Sequence, residues 1–109
     1  MARVLKREAA LRDLTSQWVW YAENASIDVA DRFLDAAERT LDLLATQPES
    51  GAPCVFRKVE LQGMRRAPVT DGFENILFFY FPLPDGVDLV RVVHGSRDLQ
   101  RLLSEGFFG

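Results

Sequence analysis

The run Asn75-Ile76-Leu77-Phe78-Phe79-Tyr80-Phe81, the break Pro82-Leu83-Pro84-Asp85-Gly86 and the return Val87-Asp88-Leu89-Val90-Arg91-Val92-Val93 decide the fold. The first segment is an aromatic and aliphatic run, short and rich in strand-favouring residues, so it reads as a central strand covered on both faces. The Pro-Asp-Gly cluster reads as a turn, with Gly86 available for a positive φ. Val87 to Val93 reads as a second buried strand, and residues 75–93 together as a β-hairpin.

Working outward, Met64 to Val69 reads as a short strand in which Pro68 marks an edge or a bulge. Glu49-Ser50-Gly51-Ala52-Pro53 is a loop by composition. Further upstream the hydrophobic period changes from strand to helix. Leu11, Leu14, Trp18 and Tyr21 form one helical stripe within residues 7–23, with Trp20 off it. Asn24-Ala25-Ser26 is a turn, and Ser26 suits the N-cap of a second helix whose first turn carries Asp28 and Asp31, where carboxylates favour the helix dipole. That helix buries Ala30, Phe33, Leu34, Ala37, Leu41 and Leu44, shows Asp28, Asp31, Asp35, Glu38 and Asp42 to solvent, and ends before Pro48. Two helices joined by so short a turn fold back as an antiparallel hairpin. Ala2 to Leu5 reads as a short extra strand and Leu99 to Leu103 as a short helical or irregular tail. The expected architecture is α+β: an N-terminal helical hairpin packed on a small, mainly antiparallel β-sheet, in a single domain over residues 1–109.

Composition narrows the function classes. The 109 residues are 48% hydrophobic and 27% charged, ordinary for a globular fold and too apolar for a disordered tail. The net charge of −3 argues against a strongly basic nucleic-acid binder. Charge is uneven: the first fifty residues hold six Lys and Arg against nine Asp and Glu, and the rest hold seven of each. A single cysteine, Cys54, excludes an intrachain disulfide and fits a reducing cytoplasm. With no histidine or second cysteine near it, Cys54 is not read as a metal ligand, and no metal or cofactor is expected. Residues 1–10 carry no apolar run of the roughly 7–15 residues a secretory signal needs. The longest apolar run falls far short of the ~20 residues that span a bilayer, so no membrane partner is expected.

The second half carries a resemblance. Glu60-Leu61-Gln62-Gly63-Met64-Arg65-Arg66-Ala67-Pro68-Val69, then Gly72-Phe73-Glu74-Asn75-Ile76-Leu77-Phe78-Phe79-Tyr80, then Pro84-Asp85-Gly86 and Val90-Arg91-Val92-Val93-His94-Gly95-Ser96-Arg97-Asp98-Leu99 resemble the ParE branch of the ParE/RelE toxin superfamily. The helical half is similar to it too, at Ala30-Asp31-Arg32-Phe33-Leu34-Asp35 and Leu43-Leu44-Ala45-Thr46-Gln47-Pro48. The resemblance implies the toxin component of a bacterial type II toxin–antitoxin pair. Such a toxin is a small cytoplasmic protein silenced by a cognate antitoxin that wraps an extended segment and a helix around it. ParE-like members are associated with inhibition of DNA gyrase, and RelE-like members with cutting messenger RNA on the ribosome. A shared fold does not choose between them.

Chemistry separates the two. Metal-free RNA cleavage needs a group to activate the 2′-hydroxyl, cations for the phosphate and an acid for the leaving oxygen. RelE-like enzymes place Lys and Arg on the sheet and a Tyr near the C-terminus. Arg97 matches one arginine of that pattern, and Arg65 and Arg66 could supply two more cations. However, Glu74-Asn75 stands where such an enzyme has an arginine, and the tail Leu99-Gln100-Arg101-Leu102-Leu103 has no tyrosine. His94 is the residue that could rescue a nuclease, because imidazole titrates near neutral pH; the commoner role at a strand end is local hydrogen bonding. A ribonuclease would therefore use His94, Arg97, Arg65 and Arg66.

The expectation is a ParE-like inhibitor without covalent chemistry, contacting its target or antitoxin through Arg65, Arg66, Arg91, His94 and Arg97. The alternatives are a ribosome-dependent mRNA endoribonuclease and an antitoxin-binding homologue without toxicity. Sequence-specific DNA binding is not expected of the toxin alone. Arg57, Lys58, Arg65 and Arg66, with Glu60 among them, read either as an anchor for an acidic partner surface or as a solvated loop. The apolar end Gly106-Phe107-Phe108-Gly109 packs inward or docks on a partner.

Overall fold

The helix expected at residues 7–23 forms as α1, Glu8–Asn24, and the capping signal at Ser26 opens α2, Ile27–Thr46. The Ser26 hydroxyl accepts from the Val29 N–H at 3.1 Å, so one of the unpaired donors at the start of α2 is satisfied by its own cap. Pro48 opens a 3₁₀ turn, Pro48–Ser50, in place of another helical turn. The strands are β1, Arg3–Lys6; β2, Ala52–Pro53; β3, Arg65–Pro68; β4, Ile76–Leu83; and β5, Gly86–His94; a last short helix, α3, covers Leu99–Glu105. This computed structural model describes residues 2–95 and 98–106. Arg97 and the apolar end 107–109 lie outside the described residues.

The strand order is β1-β5-β4-β3-β2. β2, β3, β4 and β5 pair antiparallel, and β1 joins β5 in parallel, with Arg3 opposite Gly86 and Lys6 opposite Leu89. The helical hairpin covers one face. There Phe33, Ala37 and Leu41 of α2 meet Ile76, Phe78 and Tyr80 of β4 and Val87, Leu89 and Val92 of β5. The other face carries a second apolar cluster, in which Phe79, Val90 and Val93 lie under Leu61, Met64 and Leu102. Both faces of β4 and β5 are thus covered, as an uninterrupted apolar run demands.

Five local readings change. The buried stripe of α1 is Ala10, Leu14 and Gln17, followed by half-buried Tyr21, while Leu11 is 48% exposed. Trp18 sits at the flank and donates its indole N–H to Asp31 at 3.1 Å. On α2, Leu34 lies at the surface and Ala36 and Thr40 are buried instead. The 49–53 loop contains the two-residue strand β2, paired with Arg65 and Arg66. The hairpin turn is only Pro84-Asp85, with Pro82 and Leu83 still in β4 opposite Val87 and Gly86. β3 begins opposite Tyr80, so past Tyr80 β4 has no β3 partner and a free side on which a residue lacking N–H is tolerated. Gly86 does not take a positive φ; its role is to let β1 approach.

Tyr80, fully buried, does more than fill the core. Its hydroxyl donates to the Pro48 carbonyl at 2.8 Å and accepts from the Gly51 N–H at 3.0 Å, tying the end of the helical layer to the sheet. Tyr80→Phe is expected to lower stability by about 2 kcal/mol, because it strands a buried donor and an acceptor. Burial pushes the phenol above its ordinary range, against the opposing Gly51 hydrogen bond and the nearby Arg65 charge. The neutral phenol is therefore the form the fold favours. Its contribution is complete below the ordinary phenol range and is lost as pH rises through the folded-state value. Urea titrations at rising alkaline pH should show a loss of stability that Tyr80→Phe flattens; equal slopes for the two proteins would contradict this.

Candidate functional site

Of the five residues expected to carry contacts, the four that the structure describes do not converge. Arg65 lies in β3 opposite Tyr80, and its Nη1 donates to the carbonyls of Glu49 at 2.9 Å and Gly51 at 2.7 Å. It braces the turn that Tyr80 also holds. Arg91, in β5, is a bidentate partner of Asp13 on α1: Nε donates to Oδ2 at 2.7 Å and Nη2 to Oδ1 at 3.0 Å. The same Asp13 carboxylate accepts the Val92 backbone N–H at 2.9 Å. β1 covers β5 only as far as Leu89, so Asp13 takes over where the strand partner stops and seals the exposed edge.

Register places the other two. His94 ends β5 opposite Ile76, on the helix-covered face and half-buried. Arg66 lies opposite Phe79, on the other face, and is exposed. Residues directly across a ladder share a face, and positions three apart on β4 point to opposite faces. His94 and Arg66 therefore stand on opposite sides of the sheet. Arg65 shares the face of His94, but their partners Tyr80 and Ile76 are four residues apart, a separation of roughly 13 Å along the strand. Arg97 lies outside the described residues.

Beside the Asp13–Arg91 pair a cleft of about 330 Å³ opens between α1, β5 and α3, lined by Gln17, Trp20, Arg101 and Leu102 among others. Both arginines in its wall are already matched, Arg91 by Asp13 and Arg101 by Asp98, so the cleft offers no uncompensated positive charge to an anion. Trp20, 40% exposed, borders it and stacks edge-on against Tyr21 at 5.3 Å between ring centres. Tyr21 in turn packs on Phe33 and Phe73, so of the aromatic residues of α1 it is Tyr21 that joins the seam between α1, α2 and the 70–75 loop.

The sequence treats all cations alike, and the structure divides them. Arg3, Lys6, Arg7, Arg12 and Arg39, with Arg91 and Arg101, each hold an aspartate or glutamate. Among the described residues, Arg32 on α2 and Arg65, whose partners are carbonyls, hold no acid, and neither do three further cations, Arg57, Lys58 and Arg66. All three lie on or beside the segment between β2 and β3. Cys54 also lies there; burial pushes its thiol up, with Arg66 opposing, so it stays protonated near neutral pH and is a poor nucleophile. Among the described residues, no group of three or more His, Cys, Asp or Glu is arranged to hold a metal ion, and no helix is long and apolar enough to cross a membrane.

Residues 4–99 match the family model described as the ParE toxin of the type II toxin–antitoxin system parDE. A solved structure described as the chromosomal ParDE TA system from P. aeruginosa is similar in fold, with a TM-score of 0.67 over 86% of this chain and 96% of that chain. The identity is 13%, so this likeness speaks for the architecture alone. No curated protein matches the sequence.

Proposed function

The chain belongs to the family of ParE toxins of type II toxin–antitoxin systems, and from that premise we propose that a cognate antitoxin holds it inactive and that, once free, it inhibits DNA gyrase by binding. On this reading it acts in the cytoplasm and catalyses no step of its own. Arg66, His94 and Arg97 contribute polar contacts to the target or the antitoxin, while Arg65 and Arg91 shape the surface from within.

The observation that carries this reading is the separation of the groups an RNA-cutting site would need. Acid–base cleavage requires donor, base and cations within hydrogen-bond reach of one phosphodiester. Arg65 is committed to the Glu49 and Gly51 carbonyls, and His94 and Arg66 stand on opposite faces of the sheet. Gyrase as the target rests on the family resemblance.

Purified gyrase and relaxed plasmid provide the test. The free protein should block supercoiling in proportion to its amount, and His94→Ala should weaken the block by no more than about threefold, the effect of losing one peripheral polar contact. Unaltered supercoiling at excess protein, together with site-specific cuts in ribosome-bound messages that His94→Ala abolishes, would establish the ribonuclease instead. An isolated protein that does neither, yet binds the antitoxin, would be a homologue without toxicity.

A further inference from the structure

Between β2 and β3 the chain leaves the sheet as a projecting finger, residues 54–64. Its base is closed by the Cys54 N–H on the Met64 carbonyl at 2.9 Å. Cys54, Phe56, Leu61 and Met64 turn inward onto the second apolar cluster. Within it, the Gln62 side-chain amide donates to the Phe56 carbonyl at 2.6 Å, and backbone N–H groups of Leu61 and Gln62 close a short 3₁₀ turn. The finger is therefore a built element with a fixed inside. Its outside carries Val55, 97% exposed, Val59, 82% exposed, and the cations Arg57 and Lys58, with Arg66 beside its base. Two valines this exposed are the most solvent-facing large apolar residues of the described chain, and they flank two cations that form no ion pair, with exposed Glu60 next to Val59.

We propose that this finger is a docking element for a protein segment that presents carboxylates beside apolar side chains. Charge complementarity favours that occupant, because three cations without an ion pair, Arg57, Lys58 and Arg66, gather here around the single acid Glu60, in a protein of net charge −3. The valine tips argue against a nucleic acid: phosphates need only the cations, and single strands are held by aromatic stacking, whereas the finger's one aromatic residue, Phe56, is turned inward. They argue against a lipid surface as well, since two valines bury far less than the Trp, Phe and Leu faces that hold peripheral proteins on membranes. A second copy of the chain is a poor fit. Its exposed acidic face on α2 is interleaved with Arg32 and Arg39, and Glu38 is already held by Lys6. The inference stands on the finger's own chemistry and is independent of whether gyrase is the target.

The test is a titration of the isotope-labelled full chain followed by backbone amide resonances. The probes are a synthetic peptide of alternating Glu and Leu, its Gln-for-Glu counterpart, a single-stranded DNA oligomer and phosphatidylserine vesicles. The acidic apolar peptide should shift residues 55–59 first. Arg57→Glu with Lys58→Glu should weaken that response about tenfold, the effect of reversing two exposed charges, and Val55→Ser with Val59→Ser about fivefold. All four side chains point to solvent, so unchanged resonances for Phe33, Tyr80 and Val87 serve as the check that the fold is kept. The proposal is overturned if the peptide leaves the finger unmoved, if its neutral counterpart acts equally, or if the DNA or the vesicles shift it at lower concentration. It is equally overturned if the finger resonances move with protein concentration alone.

Discussion

Asp13→Ala is expected to lower the stability of the protein by about 3 kcal/mol. The Asp13 carboxylate answers three donors at once, two from the Arg91 guanidinium and one from the Val92 backbone. The side chains of Arg91 and Asp13 are only 19% and 18% exposed, so water replaces the lost partner poorly. Removing the carboxylate leaves a largely buried cation and an open strand edge, and breaking a buried pair from one side is what makes such pairs costly. In urea the midpoint should fall by about 2 M with the slope unchanged, given a slope of roughly 1.5 kcal/mol/M for a domain of this size. Asp13→Asn keeps an acceptor for the Val92 N–H and loses the charge, so it should recover part of the loss. Asp13→Ala combined with Arg91→Met should be more stable than Asp13→Ala alone, because no unpaired charge remains. A midpoint for Asp13→Ala within about 0.5 M of the parent would mean that the edge is not held in this way.

That pair also shows where reading the sequence stops. The hairpin of β4 and β5 is legible because its signals are local: run length, residue type and a Pro-Asp-Gly break. The Ser26 cap is legible for the same reason. Arg91, in contrast, looks like a free cation, since its partner lies 78 residues away on α1. Arg65 looks the same, and its partners are backbone carbonyls that no side-chain pattern can reveal. On α1 two of the four positions in the expected stripe, Leu14 and Tyr21, face the core, and residue size misleads at the other two. Leu11 and Trp18 are the larger apolar groups, but the helix packs through Ala10, Leu14 and Gln17. Ala10 is fully buried despite its size, while Trp18 is held at the flank by Asp31, which the sequence marks only as one of several acids. The cationic stretch from Arg57 to Arg66 is visible in the sequence as a cluster. Its division into a brace, Arg65, and an outward group appears only once the finger's inward side chains are known.

Gly86 is the other position where a long-range contact governs, and Gly86→Ala is expected to have the largest effect of any single methyl added to this protein. A Cβ there would lie 1.7 Å from the Arg3 carbonyl oxygen and 2.6 Å from its carbon, both backbone atoms of the paired strand. Neither can move aside as a flexible side chain would. Relief requires that β1 leave the sheet or that the turn at Pro84-Asp85 deform. β1 is held there by the Arg3 N–H on the Asp85 carbonyl at 2.7 Å and the Arg3–Asp85 ion pair at 3.1 Å, the latter exposed and weak. The hairpin of β4 and β5 is long and buried on both faces, so β1 is the element that yields. The expected outcome is a loss of about 3 kcal/mol, the upper end for overpacking at a rigid site. Amide exchange should accelerate along residues 3–7 while β4 retains its protection. Gly63→Ala is the matched control. Gly63 has a φ of +86° with nothing within 4 Å of a Cβ, so alanine there meets backbone strain and no clash, at a cost of about 1 kcal/mol. Gly86 shows the opposite combination, an ordinary φ with no room. If the two substitutions cost the same, the close approach of β1 would not be what requires glycine at position 86.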